Sequence, residues 1–212
     1  MQFQQVIQKR AHDPMFSKAE LEQSLKRLSA TKASIANLLK RAVQRDDLIR
    51  LATGIYCLPE KFRKRLISPF EFLMKVDPYS YVSDLTALSH LDLIPEAVGL
   101  INAFSEKNIQ GQKPFRTEIG TFKFSKVPKH FLLFGVENVA MGNIVYRIAT
   151  PLKAILDHAY STKKVWKNRN ELIHDLRIDE SELDQINWQD LESYKKAYNN
   201  EFMNKVCESL NE

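Results

Sequence analysis

The chain has 212 residues, of which 44% are hydrophobic and 27% charged, with a net charge of +5. That composition excludes an extended disordered chain, which lacks the apolar surface to collapse, and leaves room for one domain or two small ones. Its apolar runs fall far short of the roughly 18 to 20 residues of a membrane span, the polar start MQFQQVIQKR lacks a signal peptide's apolar core, and Cys57 and Cys207 give no disulfide framework.

The charge is unevenly spread. Residues 1–65 hold 14 Lys/Arg against 6 Asp/Glu, net +8, whereas residues 170–212 hold 4 against 11, net −7. One end is therefore suited to a polyanion.

Phe3, Val6, Ile7 and Ala11 recur at helical spacing and predict a first helix, ended by Asp13-Pro14. FSKAEL opens a second, with Ser17 as N-cap, Glu20 three residues on to complete a capping box, and Phe16 and Leu21 as its hydrophobic staple. Leu21, Leu25 and Leu28 form its apolar stripe, and Thr31 is the expected N-cap of a third helix. In that helix Ile35, Leu38, Leu39, Ala42 and Val43 predict a buried face. At 100° per residue, Ala33, Ser34, Asn37, Lys40, Arg41 and Gln44 gather opposite, flanked by Lys32 and Arg45. Asn and Gln can bond adenine edges, Lys and Arg can bond guanine edges or phosphates, and small residues permit close approach, so this face suits a DNA major groove. The alternative is an exposed face with no ligand.

Asp46-Asp47 end the helix. Residues 48–51 and 55–58 then read as two short strands around a three-residue loop, Ala52-Thr53-Gly54, with Gly54 in the left-handed position. Three helices and a hairpin are the order of a winged helix-turn-helix, in which Arg50, Thr53 and the cluster Lys61, Arg63, Lys64 and Arg65 would reach the DNA backbone. DDLIRLATGIYCLP resembles the G-x-L-x-R-x-x-x-G-x-Y wing of AbiEi-type antitoxins through Leu48, Arg50, Gly54 and Tyr56. Asp47 stands where that family tends to have glycine, and Thr53 where many members have a basic residue.

Ser68-Pro69-Phe70-Glu71 predicts another helix, stopped by Asp77-Pro78. A short strand follows, then a helix capped at Ser83 with Leu85, Leu88 and Leu91 inward. Tyr81, Ser83, Ala87, Leu88 and Leu93 resemble the same family's Y-x-S-x-x-S-A-L-x-x-x-G-L segment, with Asp92 in place of its glycine. Residues 98–104, 118–127, 131–136 and 143–149 are β-prone runs. ATPLKAILDHAY begins a helix with Thr150 as N-cap and Pro151 at N1, and Arg147, Ala149, Lys153, Ala154, Ile155 and Asp157 resemble the family's R-x-A-x-x-x-K-A-L-x-D stretch. Arg147 and Lys153 are candidates for a basic patch serving antitoxin function; the alternative is an ordinary salt-bridged strand and helix start. The remainder is helical, with one helix opened by Asn187-Trp188 and the last ending near Leu210.

The six glycines form no phosphate-binding loop, and neither C-x-x-C nor H-E-x-x-H occurs. No enzyme activity, cofactor or metal is therefore expected. The least remote catalytic reading is a metal-dependent nuclease built on Glu118, Lys123 and Asp157.

The expected fold is α+β: a winged helix-turn-helix over 1–66, then a mixed α/β domain over 67–212 with a small, mainly antiparallel sheet and C-terminal helices. The resemblance implies a bacterial, cytoplasmic AbiEi-like antitoxin of a type IV toxin–antitoxin system. Such a protein binds inverted repeats in double-stranded operator DNA to repress its own operon. It counteracts a nucleotidyltransferase toxin without a stable complex. The alternative is a stand-alone repressor whose second domain binds a ligand or dimerises.

Overall fold

The computed structural model describes residues 11–26, 32–96, 98–132, 134–142 and 144–211, which form two compact units. One comprises Met1–Val76 with Thr117–Ile119, the other Asp77–Arg116 with Gly120–Glu212. The helix of Pro69–Val76, expected in the second domain, thus groups with the first.

In the first unit, strand β1 (Met15–Ser17) leads into helix α1 (Lys18–Lys26), followed by α2 (Lys32–Gln44), β2 (Ile49–Ala52), β3 (Ile55–Cys57) and α3 (Pro69–Val76). The helix expected before them falls largely on residues 1–10, and Leu28 and Thr31 also lie outside the described residues. The capping box forms in full: Glu20 N–H donates to Ser17 Oγ at 3.2 Å, and Ser17 N–H donates to Glu20 Oε2 at 2.6 Å. Phe16, Leu21, Ile35, Leu39, Ala42, Leu48, Tyr56 and Leu58 form one core cluster. Fully burying a leucine or isoleucine contributes about 1.5–3 kcal/mol, so this cluster holds α1 and α2 against the sheet.

Asp46 ends α2 in the left-handed conformation, φ 55°, which Asp tolerates better than most residues. The backbone N–H groups of Asp47 and Leu48 turn back to Ala42 O. The hairpin differs in detail from its expectation. Register pairs Ala52 with Ile55, leaving a two-residue Thr53-Gly54 turn, and an irregularity between Arg50 and Ala52 takes up Leu51. Gly54 has φ 76°, as anticipated. β1, absent from the sequence reading, pairs antiparallel with β3 and completes a three-stranded sheet ordered β1-β3-β2.

The second unit contains β4 (Tyr81–Val82), α4 (Asp84–His90), β5 (Leu100–Ser105), β6 (Phe115–Thr117), β7 (Gly120–Lys126), β8 (Val136–Met141), β9 (Ile144–Ala149) and four helices. These are α5 (Pro151–Thr162), α6 (Arg169–Leu176), α7 (Leu191–Tyr198) and α8 (Glu201–Ser209). Thr117 of β6 clusters with the first unit. The sheet is ordered β6-β7-β5-β4-β9-β8. It is mixed: β4–β5 and β8–β9 run antiparallel, β4–β9 and β5–β7 parallel. Of the run expected over 131–136, Phe131, Leu132, Phe134 and Gly135 are not strand. Lys129–Leu132 form a 3₁₀ turn, and only Val136 joins β8. Phe131 and Leu132 are buried there, so their apolar character reflects packing and not strand pairing. None of the described helices is long and apolar enough to cross a membrane.

Candidate nucleic-acid interface

Helix α2 sorts its side chains as its periodicity predicts. Ile35, Leu39 and Ala42 are buried, Leu38 and Val43 half-buried, and Ala33, Ser34, Asn37, Lys40, Arg41 and Gln44 exposed. Lys32 is its first residue, and Arg45, just beyond its end, is exposed. Exposure leaves the amide and cationic groups of Asn37, Lys40, Arg41 and Gln44 on one helix face, where bases or phosphates can meet them.

Beside this face, α2 and the hairpin enclose an open groove of about 270 Å³. Lys18, Lys40 and Arg50 line it with three cations; Gln44 and Tyr56 add hydrogen-bonding groups, and Ala36, Leu39 and Val43 an apolar wall. Arg50 and Tyr56 are cross-strand partners and so share a face of the sheet. Lys18 also sits 3.6 Å from Glu22, an exposed i,i+4 pair that is a weak competitor for an anion. Lys18 and Tyr56 were absent from the sequence-based site. Their contribution depends on β1 and β3 being neighbours, which no local pattern announced.

The 61–65 cluster divides in two. Lys61 and Lys64 are exposed, as is Thr53 in the turn. Arg63 and Arg65, expected on phosphates, are committed to protein. Arg63, only 7% exposed at its side chain, donates to Leu58 O at 2.5 Å, Cys57 Sγ at 3.2 Å and Glu118 Oε1 at 2.8 Å. Arg65 makes a bidentate pair with Glu71, both bonds 2.7 Å, and also donates to His12 O. A guanidinium presents its donors in a fixed fork, so one already filled by a carboxylate is not available to a phosphate. Burial pushes the Cys57 thiol up to about 11, so it is a packed thiol and not a reactive thiolate.

In the second unit, the expected basic patch is absent from the surface. Lys153 is 1% exposed. Its Nζ donates to Asp157 Oδ1 at 2.8 Å and Tyr198 Oη at 3.0 Å, with the rings of Tyr81, Phe131 and Tyr198 around it. Asp157, fully buried, also accepts from Tyr198 Oη at 2.6 Å, Ser83 Oγ at 2.7 Å and Tyr81 Oη at 2.9 Å. Burial holds the Lys153 ammonium below its usual range despite the Asp157 charge, and burial beside that carboxylate raises the phenols of Tyr81 and Tyr198 well above theirs. Arg147 is likewise structural, donating to Tyr79 O at 2.9 Å and Leu132 O at 2.8 Å.

Two of the three residues considered for a nuclease, Glu118 and Asp157, are occupied in the same way. Asp157 is saturated by its four donors, and Glu118 is paired with Arg63. Among the described residues no group of three or more His, Cys, Asp or Glu is arranged to hold a metal ion. Beside the Asp157 cluster lies one that the sequence did not signal: Asp84 Oδ1 is 2.6 Å from His158 Nδ1, and Asp84 Oδ2 accepts from Ser161 Oγ at 3.0 Å. Burial would raise the Asp84 carboxyl, but the His158 contact, with Leu85 N–H and Ser161, outweighs it and holds it low. Both clusters bind the start of α4 to α5.

Compared with known proteins, the chain matches no family model and no curated sequence.

Proposed function

We propose that the first unit is a winged helix-turn-helix that binds double-stranded DNA, with α2 as the recognition helix and the β2–β3 hairpin as the wing. The observation that carries this reading is the exposed row Asn37, Lys40, Arg41 and Gln44 beside the cation-lined groove. Asn37 and Gln44 supply base-edge contacts. Lys18, Lys40, Arg45, Arg50, Lys61 and Lys64 supply phosphate contacts, which fix register without reading sequence. The net charge of +8 over residues 1–65 adds a long-range, salt-screened attraction.

Within this reading the protein is an AbiEi-like antitoxin that represses its own operon and counteracts a nucleotidyltransferase toxin. The motifs around Arg50, Tyr81 and Lys153 support that part. The chemistry of this reading is binding: the two carboxylates a nuclease would need, Glu118 and Asp157, are tied up in internal ion pairs.

The test is fluorescence anisotropy of the full chain on its own upstream DNA and on a scrambled duplex, across a salt series. Tight binding that prefers the upstream DNA is expected. Asn37→Ala should weaken it by about 1–3 kcal/mol and blunt the preference. Arg45→Ala should weaken both DNAs alike and lower the salt slope by about one. Arg63→Ala, because its guanidinium serves the fold, should leave the slope unchanged. Equal, weak binding to both duplexes would reduce the basic face to a solvated surface.

A further inference from the structure

The six-stranded sheet ends in two unlike edges. On one side β6 is three residues long, is preceded by Pro114 and carries the exposed Arg116, features that discourage further pairing. On the other, β8 is six residues long, VENVAM, with neither proline nor lysine and a single charge, Glu137. Glu137, Asn138, Ala140 and Met141 are exposed, and among the described residues no strand pairs with the outer side of β8.

The register fixes which backbone groups face outward. Met141 pairs with Ile144 across a two-residue turn, so it belongs to a hydrogen-bonded pair with β9. Bonding alternates along an antiparallel ladder, so Val139 and Glu137 also turn their backbone toward β9. Gly135, in the same phase, confirms it: its C=O accepts from Thr150 N–H at 2.9 Å. The N–H and C=O groups of Val136, Asn138 and Ala140 therefore point away from the sheet.

We propose that β8 pairs with β8 of a second copy of this chain, antiparallel about a two-fold axis through Asn138 and normal to the sheet. Such an axis keeps each face on its own side and requires paired residues of like parity. The outward groups then meet as Val136 with the partner's Ala140, Asn138 with the partner's Asn138, and Ala140 with the partner's Val136. That makes about six backbone hydrogen bonds. The strand is self-complementary in this register. Glu137 lies opposite the partner's Val139, so no like charges face one another, and the two Asn138 amides can exchange hydrogen bonds. Centring the pairing on Glu137 would set carboxylate against carboxylate, and centring it on Val139 would pair the outward groups of Asn138 and Ala140 alone, for about four backbone hydrogen bonds in place of six.

The experiment is sedimentation equilibrium of the full chain over a concentration series, with three samples. Wild type should show a concentration-dependent dimer. Asn138→Glu and Asn138→Lys, each placing like charges across the axis, should be monomeric alone, whereas their equimolar mixture should recover the dimer. Far-ultraviolet circular dichroism checks that each variant is folded. Asn138 is exposed, so neither change buries a charge. A wild type that stays monomeric throughout, a dimer that survives both single substitutions, or a mixture that fails to associate would each overturn the pairing.

Discussion

At the level of single residues, Asp157 shows how far chemistry departs from residue type. In the sequence it is one acid on a helix, four residues after a lysine. In the fold it is the fully buried acceptor of four donors, two of which, Tyr81 and Ser83, lie 76 and 74 residues away. Replacing Asp157 by alanine leaves the Lys153 ammonium buried without its counter-charge, so a loss of about 3–5 kcal/mol is expected in guanidinium denaturation. Adding Lys153→Met to that variant removes the stranded charge and should recover part of the loss; a double variant no more stable than the single would show that the ion pair is not its source. Arg63 and Arg65 teach the same point. They are chemically equivalent to Lys61 and Lys64 as cations in a run, and only the positions of Glu118 and Glu71 separate those that hold the fold from those that face solvent. Gly135 is also decided at this scale, by the Tyr194 side chain, which occupies the space a Cβ would need.

Among the elements, helix starts were legible as boundaries and only partly as bonds. Ser17 caps α1 because both its partners lie within three residues, and the pattern that announces them is the structure that forms. Ser17→Ala should therefore cost about 1 kcal/mol, read as a shift in the denaturation midpoint with an unchanged slope. No measurable shift would mean that packing of Phe16 and Leu21 alone fixes the start of α1. Ser83 and Thr150 stand at the N-caps of α4 and α5 as predicted, yet neither hydroxyl caps its helix. Ser83 donates to Asp157, and Thr150 meets the Tyr194 hydroxyl at 3.0 Å. A tertiary partner that is itself buried outcompetes a backbone N–H that solvent can satisfy. Strands fared worse than helices. β6 is only three residues long, and in β8 Glu137 and Asn138 interrupt the apolar residues, so neither stands out from loop by its own pattern; pairing with β7 and β9 makes them strands.

Over the whole molecule, the titratable groups define a pH window of stability. Glu20, Asp77, Asp84 and Asp175 are held below their ordinary values of 4.5 and 3.8 because hydrogen bonds and cations outweigh burial. Depressed carboxyls stabilise the fold above those values and lose that contribution as pH falls through the folded ones. At the alkaline end, burial raises Cys57 and Cys207 from 9.0 to about 11 and Tyr194 from 10.0 to about 12, and raises Tyr81 and Tyr198 well above their ordinary value. Raised groups contribute fully below their ordinary values and lose that contribution as pH climbs past them. Lys153, lowered by burial, works in the opposite sense but is one group against several. Denaturation midpoints should therefore be flat from about pH 5 to 9 and fall on both sides, and a midpoint still rising above pH 10 would contradict the buried phenols. What the sequence determined by itself is everything set by neighbours within one or two turns: the exposed and buried faces of α2, the capping box of α1, the left-handed Gly54 of the hairpin and the basic-to-acidic gradient along the chain. The tertiary structure alone decided the mixed order of the sheet, the groove that joins Lys18 and Tyr56 to α2, and the burial of Lys153. Each of these depends on which distant segments pair, and a pairing partner leaves no periodic trace in the residues that receive it.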